Sequence, residues 1–137
     1  MRWISIRKVN APPDRVFRVV GDPNEFQKAV GGPPVEYLGT HTKFRATRIT
    51  KGKSAAFEQE VIEFVPGQRV RMINVTHGTP WDSTFSVQPE GGGSILTLTM
   101  DAAPPNFVGR VMMHVIRRMV QKGVEKDMDA VKEYCET

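Results

Sequence analysis

The side chains that could do chemistry are few and scattered. His77 and Asp82 lie on either side of a candidate turn, and an imidazole near a carboxylate is the pairing of a general base. The sequence sets no nucleophile and no third orienting group beside them, so the plain reading is a solvated loop histidine. His41 and His114 are isolated, and three histidines without close spacing make a poor metal site. Arg45 and Arg48 share one candidate strand. They are three positions apart, and side chains alternate faces along a strand, so they must point opposite ways. One then faces solvent, and the other could meet a carboxylate or phosphate headgroup inside. Methionine is the most suggestive type: Met72 and Met100 fall at strand positions, and Met112, Met113, Met119 and Met128 at helical ones. Its flexible, polarizable thioether suits a surface that fits variable apolar molecules, and equally a plain core. Phe26, Phe44, Trp81 and Phe85 carry the same double reading. No cofactor is expected.

A long helix and a sheet must position these residues. Asn106 is a good N-cap, and after it apolar residues recur at helical spacing: Val108, Val111, Met112, Val115, Ile116, Met119, Val120, Val124, Met128, Val131 and Tyr134. The helix to Cys135 would run roughly 40 Å. No second long helix exists to receive its stripe, so a sheet must, and the drift of the stripe along the helix suits a curved partner. On this reading Met119→Asp is severely destabilising, because it buries a carboxylate without a partner. The opposite side is basic first (Arg110, His114, Arg117, Arg118, Lys122) and acidic later (Glu125, Asp127, Asp129, Glu133, Glu136). That order opposes the helix dipole, at about 0.3–1 kcal/mol per exposed end charge. It would suit peripheral contact with an anionic membrane or partner; a solvated face is the commoner outcome. The cations lack interleaved aromatics, so nucleic acid is not an expected partner.

Ahead of this helix, Trp3 to Val9 alternates as a strand, and Pro12-Pro13-Asp14 and Asp22-Pro23-Asn24-Glu25 open two short helices. Strands follow over 35–38, 42–50, 55–64, 69–76, 81–88 and 95–102, separated by Lys51-Gly52-Lys53, Pro66-Gly67, a loop at His77-Gly78-Thr79-Pro80, and Glu90-Gly91-Gly92-Gly93. Leu96, Leu98 and Met100 are placed inward and Thr97 and Thr99 outward. The fold class is therefore α+β: a curved antiparallel sheet of about seven strands gripping a C-terminal helix, with two short helices after the first strand.

At 137 residues, with 39% apolar and 25% charged side chains, one domain over 1–137 is expected. A single cysteine excludes an intrachain disulfide. No apolar run approaches the roughly 20 residues of a membrane span, and the N-terminus lacks a signal-peptide core, which makes a cytoplasmic location the default. The net charge of +4 permits an anionic partner without demanding one. The residues set no oligomeric state.

Several local motifs resemble the START-like, or helix-grip (SRPBCC), superfamily, in its polyketide cyclase/dehydrase and lipid-transport branch. They are Asn10-Ala11-Pro12-Pro13-Asp14-Arg15-Val16-Phe17, Gly21-Asp22-Pro23, Glu63-Phe64-Val65-Pro66-Gly67-Gln68-Arg69-Val70 and Pro89-Glu90-Gly91-Gly92-Gly93-Ser94. All four are turn chemistry, in the right order along essentially the whole chain. The resemblance implies a hydrophobic cavity between the long helix and the sheet, and a hydrophobic small-molecule ligand that is lipid-like or polyketide-like. Binding or transport is the first expectation; a cyclase/dehydratase-type enzyme and an interaction scaffold with a filled core are the alternatives. No residue pattern specific to the aromatase/cyclase members is present, nor is the glycine-rich loop of the plant allergens. Met72, Trp81, Phe85, Met100, Met112, Ile116 and Met119 are expected in the cavity wall, with Phe26 and Phe44 beside them.

Overall fold

The alternating segments assemble, in a computed structural model describing residues Met1–Thr137, into a single antiparallel sheet. The elements are β1 (Arg2–Val9), α1 (Pro13–Gly21), α2 (Pro23–Val30), β2 (Glu36–Tyr37), β3 (Lys43–Thr50), β4 (Lys53–Val65), β5 (Arg69–Thr76), β6 (Thr79–Glu90), β7 (Gly93–Ala102) and α3 (Phe107–Glu136). The strand order is β1-β7-β6-β5-β4-β3-β2. Hairpins carry the chain from β2 to β7, and β1 pairs with β7, setting Arg7 opposite Leu96, Ser5 opposite Leu98 and Trp3 opposite Met100. Leu96 and Leu98 are buried and Met100 packs beside them, while Thr97 and Thr99 take the other face. A register shift between Val61 and Glu63 kinks β4 and adds curvature.

His77-Gly78-Thr79-Pro80 is a tighter feature than the loop read from the sequence. Thr76 pairs with Thr79, and His77 and Gly78 have φ of 52° and 77°. Positive φ at both central residues makes a type I′ hairpin turn, whose twist matches the flanking strands. β6 accordingly begins two residues earlier than the apolar alternation suggests.

Helix α3 is fastened at both ends. The Asn106 side chain accepts the Gly109 N–H at 2.8 Å. At the other end Arg15, from α1, donates to the carbonyls of Cys135, Tyr134 and Thr137 at 2.7, 3.0 and 3.2 Å. A guanidinium there satisfies carbonyls that the helix leaves free and complements its dipole. The Tyr134 hydroxyl donates to Glu25 of α2 at 3.0 Å.

The two halves of α3 are buried differently. Val124, Met128, Val131 and Cys135 enter the main core, with Val16, Phe17 and Val20 of α1 and with Val70, Phe85, Val87, Leu96 and Leu98 of the sheet. In the first half only Met113 is buried, in a small cluster with Trp3 and Ala102. Trp3 stacks on Trp81 at 5.5 Å and donates its indole N–H to the Arg117 carbonyl at 3.1 Å.

This arrangement corrects the apolar stripe. Met112 and Met119 are 51% and 65% exposed, as Val108, Val111 and Val115 are at 73%, 46% and 73%. The buried line runs through Met113, Ile116, Val120, Val124, Met128, Val131 and Cys135, and helical geometry sets the other five on the opposite side. The first half of α3 carries more apolar positions than one sheet face can cover. Met119→Asp therefore falls on the surface.

Gly123 faces open space in the middle of α3, with nothing within 4 Å of where a Cβ would sit. Alanine there costs no contact and removes a glycine from a helix interior. Gly123→Ala is expected to stabilise the protein by about 0.5–1 kcal/mol, read as a raised midpoint in urea unfolding.

Candidate functional site

A cavity of about 430 Å³ lies between the inner face of the sheet, α2 and the middle of α3. It exists because α3 packs along β1 and touches α1 and α2, leaving the inner faces of β3 to β6 only partly covered. Of the residues expected in its wall, Phe26, Phe44, Met72, Trp81, Phe85 and Met100 all line this space. Phe26 and Phe85 also meet each other, ring centres 5.6 Å apart. Met112, Ile116 and Met119 are elsewhere: Ile116 packs against the Trp3 cluster, and Met112 and Met119 point away from the sheet. The contribution of α3 comes from Val120 and Asp127 instead.

Of the polar side chains in the wall, Gln27, Arg48 and Asp127 are tied to other groups of the protein. Gln27, 2% exposed, donates to the carbonyls of Pro33 and Thr47 at 2.9 Å each, tying α2 to β3. Arg48 points inward and forms a two-pronged pair with Asp127, at 2.5 and 3.0 Å, that bridges β3 to α3. Arg45 points outward to Glu36 and Glu58, as strand alternation requires. Gln59, Asn74, Thr76, His77 and Ser83 complete the polar lining.

Two of these residues carry a signal in the sequence. Ser83 lies between Trp81 and Phe85 at the strand period, which places it on the same face. Asp127 sits one and two turns after Val124 and Val120, which flags a carboxylate beside the buried line.

His77 and Asp82 do not act as a pair. Asp82 is on the outer face, bound by Arg71 at 2.6 Å, and that hydrogen bond holds its carboxyl below the usual range. His77 sits in the turn at the cavity wall. The other shifted carboxyls lie outside the cavity wall. Burial pushes Glu125 up, but hydrogen bonds led by that from Arg7 outweigh it and hold it below its ordinary value. Tyr134, and then Lys28, lower Glu25 by hydrogen bonding. No three histidine, cysteine or carboxylate side chains gather into a metal-binding group.

The family model for polyketide cyclase/dehydrase and lipid transport matches residues 5–136. The chain belongs to this family. Its helix-grip architecture is the one the turn motifs indicated. Solved structures of the same fold include TTHA0849 from Thermus thermophilus, 20% identical, covering 98% of this chain and 97% of that one at a TM-score of 0.77. A START superfamily protein from Mycobacterium smegmatis is 14% identical over 98% of this chain and 97% of its own, with a TM-score of 0.78. The di-domain ARO/CYC BexL from the BE-7585A biosynthetic pathway is 17% identical, with a TM-score of 0.81 over 98% of this chain and 46% of its own. At these identities the likeness is one of fold. No curated protein matches the chain.

Proposed function

We propose that residues 1–137 form one ligand-binding domain whose cavity holds an uncharged, predominantly apolar small molecule, lipid-like or polyketide-like, as a binding or transport protein. The observation that carries this reading is the composition of the wall. Its lining is mainly hydrophobic, and the only acidic and basic pair in it, Asp127 and Arg48, is engaged with itself. A carrier needs an apolar lining and one polar anchor. An acid–base enzyme needs an ionisable group free to exchange a proton with substrate. Asp127 is committed to Arg48, and His77, the other ionisable group of the wall, has no carboxylate to orient it, so the wall favours binding over cyclisation or dehydration. The open volume weighs against a scaffold with a filled core.

The direct test is native mass spectrometry of the purified protein for a co-purified lipid, with an apolar fluorescent probe as competitor. Ser83→Trp fills the cavity from β6 and should remove probe binding while the protein stays folded. Unchanged probe affinity in that variant would place the ligand elsewhere.

Charge selectivity gives a second expectation. A long-chain alcohol should bind more tightly than the matching carboxylate, because no free cation awaits an anion. Asp127→Asn releases Arg48 and should reverse that order, with about a tenfold gain for the carboxylate. Competition against the same probe reads it.

A further inference from the structure

The first half of α3 turns a second apolar face outward. Val108, Val111, Met112, Val115 and Met119 fall on successive turns of one helix side, away from the Met113–Ile116–Val120 line that packs inward. Phe107, at the helix start, is 70% exposed. Apolar residues scattered singly on a surface are ordinary; a continuous run along one helix is a docking surface. On the same side the run continues into Lys122 and Lys126, with Arg118 at its border.

Charge decides the occupant. Four of the five carboxylates of α3 are paired: Glu125 and Asp129 share Arg7, Asp127 takes Arg48 and Glu136 takes Lys132, which leaves Glu133 alone against five unpaired cations. Arg118, Lys122 and Lys126 enter no ion pair, and nor do Arg110 and Arg117. The helix surface is left with an apolar run and uncompensated positive charge at one end of it. A second copy of the chain would offer the same surface, apolar and positive, and so no counter-charge. A bilayer rich in anionic lipid offers both an apolar interior and a negative surface.

We propose that this chain docks on anionic lipid membranes through the first half of α3. Val108, Met112, Val115 and Met119 enter the boundary between headgroups and acyl chains, and Arg118, Lys122 and Lys126 meet lipid phosphates. The inference does not rest on what the cavity holds, because none of these residues lines it.

The test is co-sedimentation of the full chain with vesicles of phosphatidylcholine alone and of phosphatidylcholine with about 30% phosphatidylserine. Binding to the anionic vesicles is expected to be at least about tenfold stronger, and to weaken as salt is raised from about 0.1 M to about 0.5 M. Val115→Asp should reduce it by about tenfold or more without changing thermal unfolding, since Val115 is exposed. Lys122→Glu with Lys126→Glu should abolish the preference for anionic lipid. Equal sedimentation of all three proteins would overturn the assignment of this surface, as would no association with anionic vesicles. A solution dimer that Val115→Asp dissolves, without vesicle binding, would give the face to a second copy and also overturn the proposal.

Discussion

Met128→Asp is expected to unfold the protein, whereas Met119→Asp, on the same helix, should leave it folded. Met128 is 0% exposed and carries the second half of α3 into the main core with residues of α1 and the sheet. Truncating a buried methionine costs about 2–5 kcal/mol, before any charge is considered. A carboxylate at that site finds no cation and either desolvates or takes up a proton, adding several kcal/mol. The sum rivals the about 5–15 kcal/mol that holds a typical domain together. Met119 is 65% exposed, and its replacement should stay within about 0.5–1 kcal/mol. Urea unfolding of both variants separates the two faces of α3. A large loss for Met119→Asp would mean that the helix is rotated from the position described.

Trp3→Ala should cost about 3–5 kcal/mol. Trp3 is 2% exposed, and three things hold it: the Met113–Ala102 cluster, the stack on Trp81 and the hydrogen bond to the Arg117 carbonyl. The aromatic pair alone contributes about 0.5–1.5 kcal/mol beyond burial. Trp3 also braces a cavity residue, because Trp81 has one face on Trp3 and also lines the cavity. Trp3→Ala should therefore weaken apolar probe binding as well as stability. Trp3→Phe, which keeps a ring but loses the donor, should recover most of both. A stability loss under about 1 kcal/mol for Trp3→Ala would show that the first half of α3 is not anchored through this residue.

The sheet is legible in the sequence because strand alternation is a strict code. A period of two leaves one inward set for each strand, so Leu96, Leu98 and Phe85 can be assigned from residue order alone. The cavity-lining residues that the sequence also singles out are strand residues and Phe26, which sits on a short helix with few apolar choices. The long helix is harder. Periodicity reports which positions are apolar, and does not say which of two apolar sides meets the sheet. Val108, Val111, Met112, Val115 and Met119 line up well with one another, and the shorter Met113–Ile116–Val120 line is the one that continues into Val124, Met128 and Val131. Continuity with the second half, where only one side is apolar, is the usable signal. The drift of the stripe along the helix is that signal: it marks a change of side, and not only a curved partner. Arg48 is legible as one of two arginines with opposite directions. Its engagement with Asp127 is not, because a cross-chain ion pair leaves no mark in local spacing.

The stacked pair that reaches across β7 from β1 to β6 has a spectroscopic consequence. The chain has two tryptophans, and both are in it. Indole emission therefore reports on one corner of the molecule, where the small cluster meets the first half of α3, and is silent about the main core around Met128. Far-ultraviolet dichroism averages over every helix and strand. Melting curves followed by the two signals watch different regions of the same chain. If they superimpose, the two hydrophobic clusters melt as one cooperative unit; if the emission change comes first, the first half of α3 detaches while the rest remains folded.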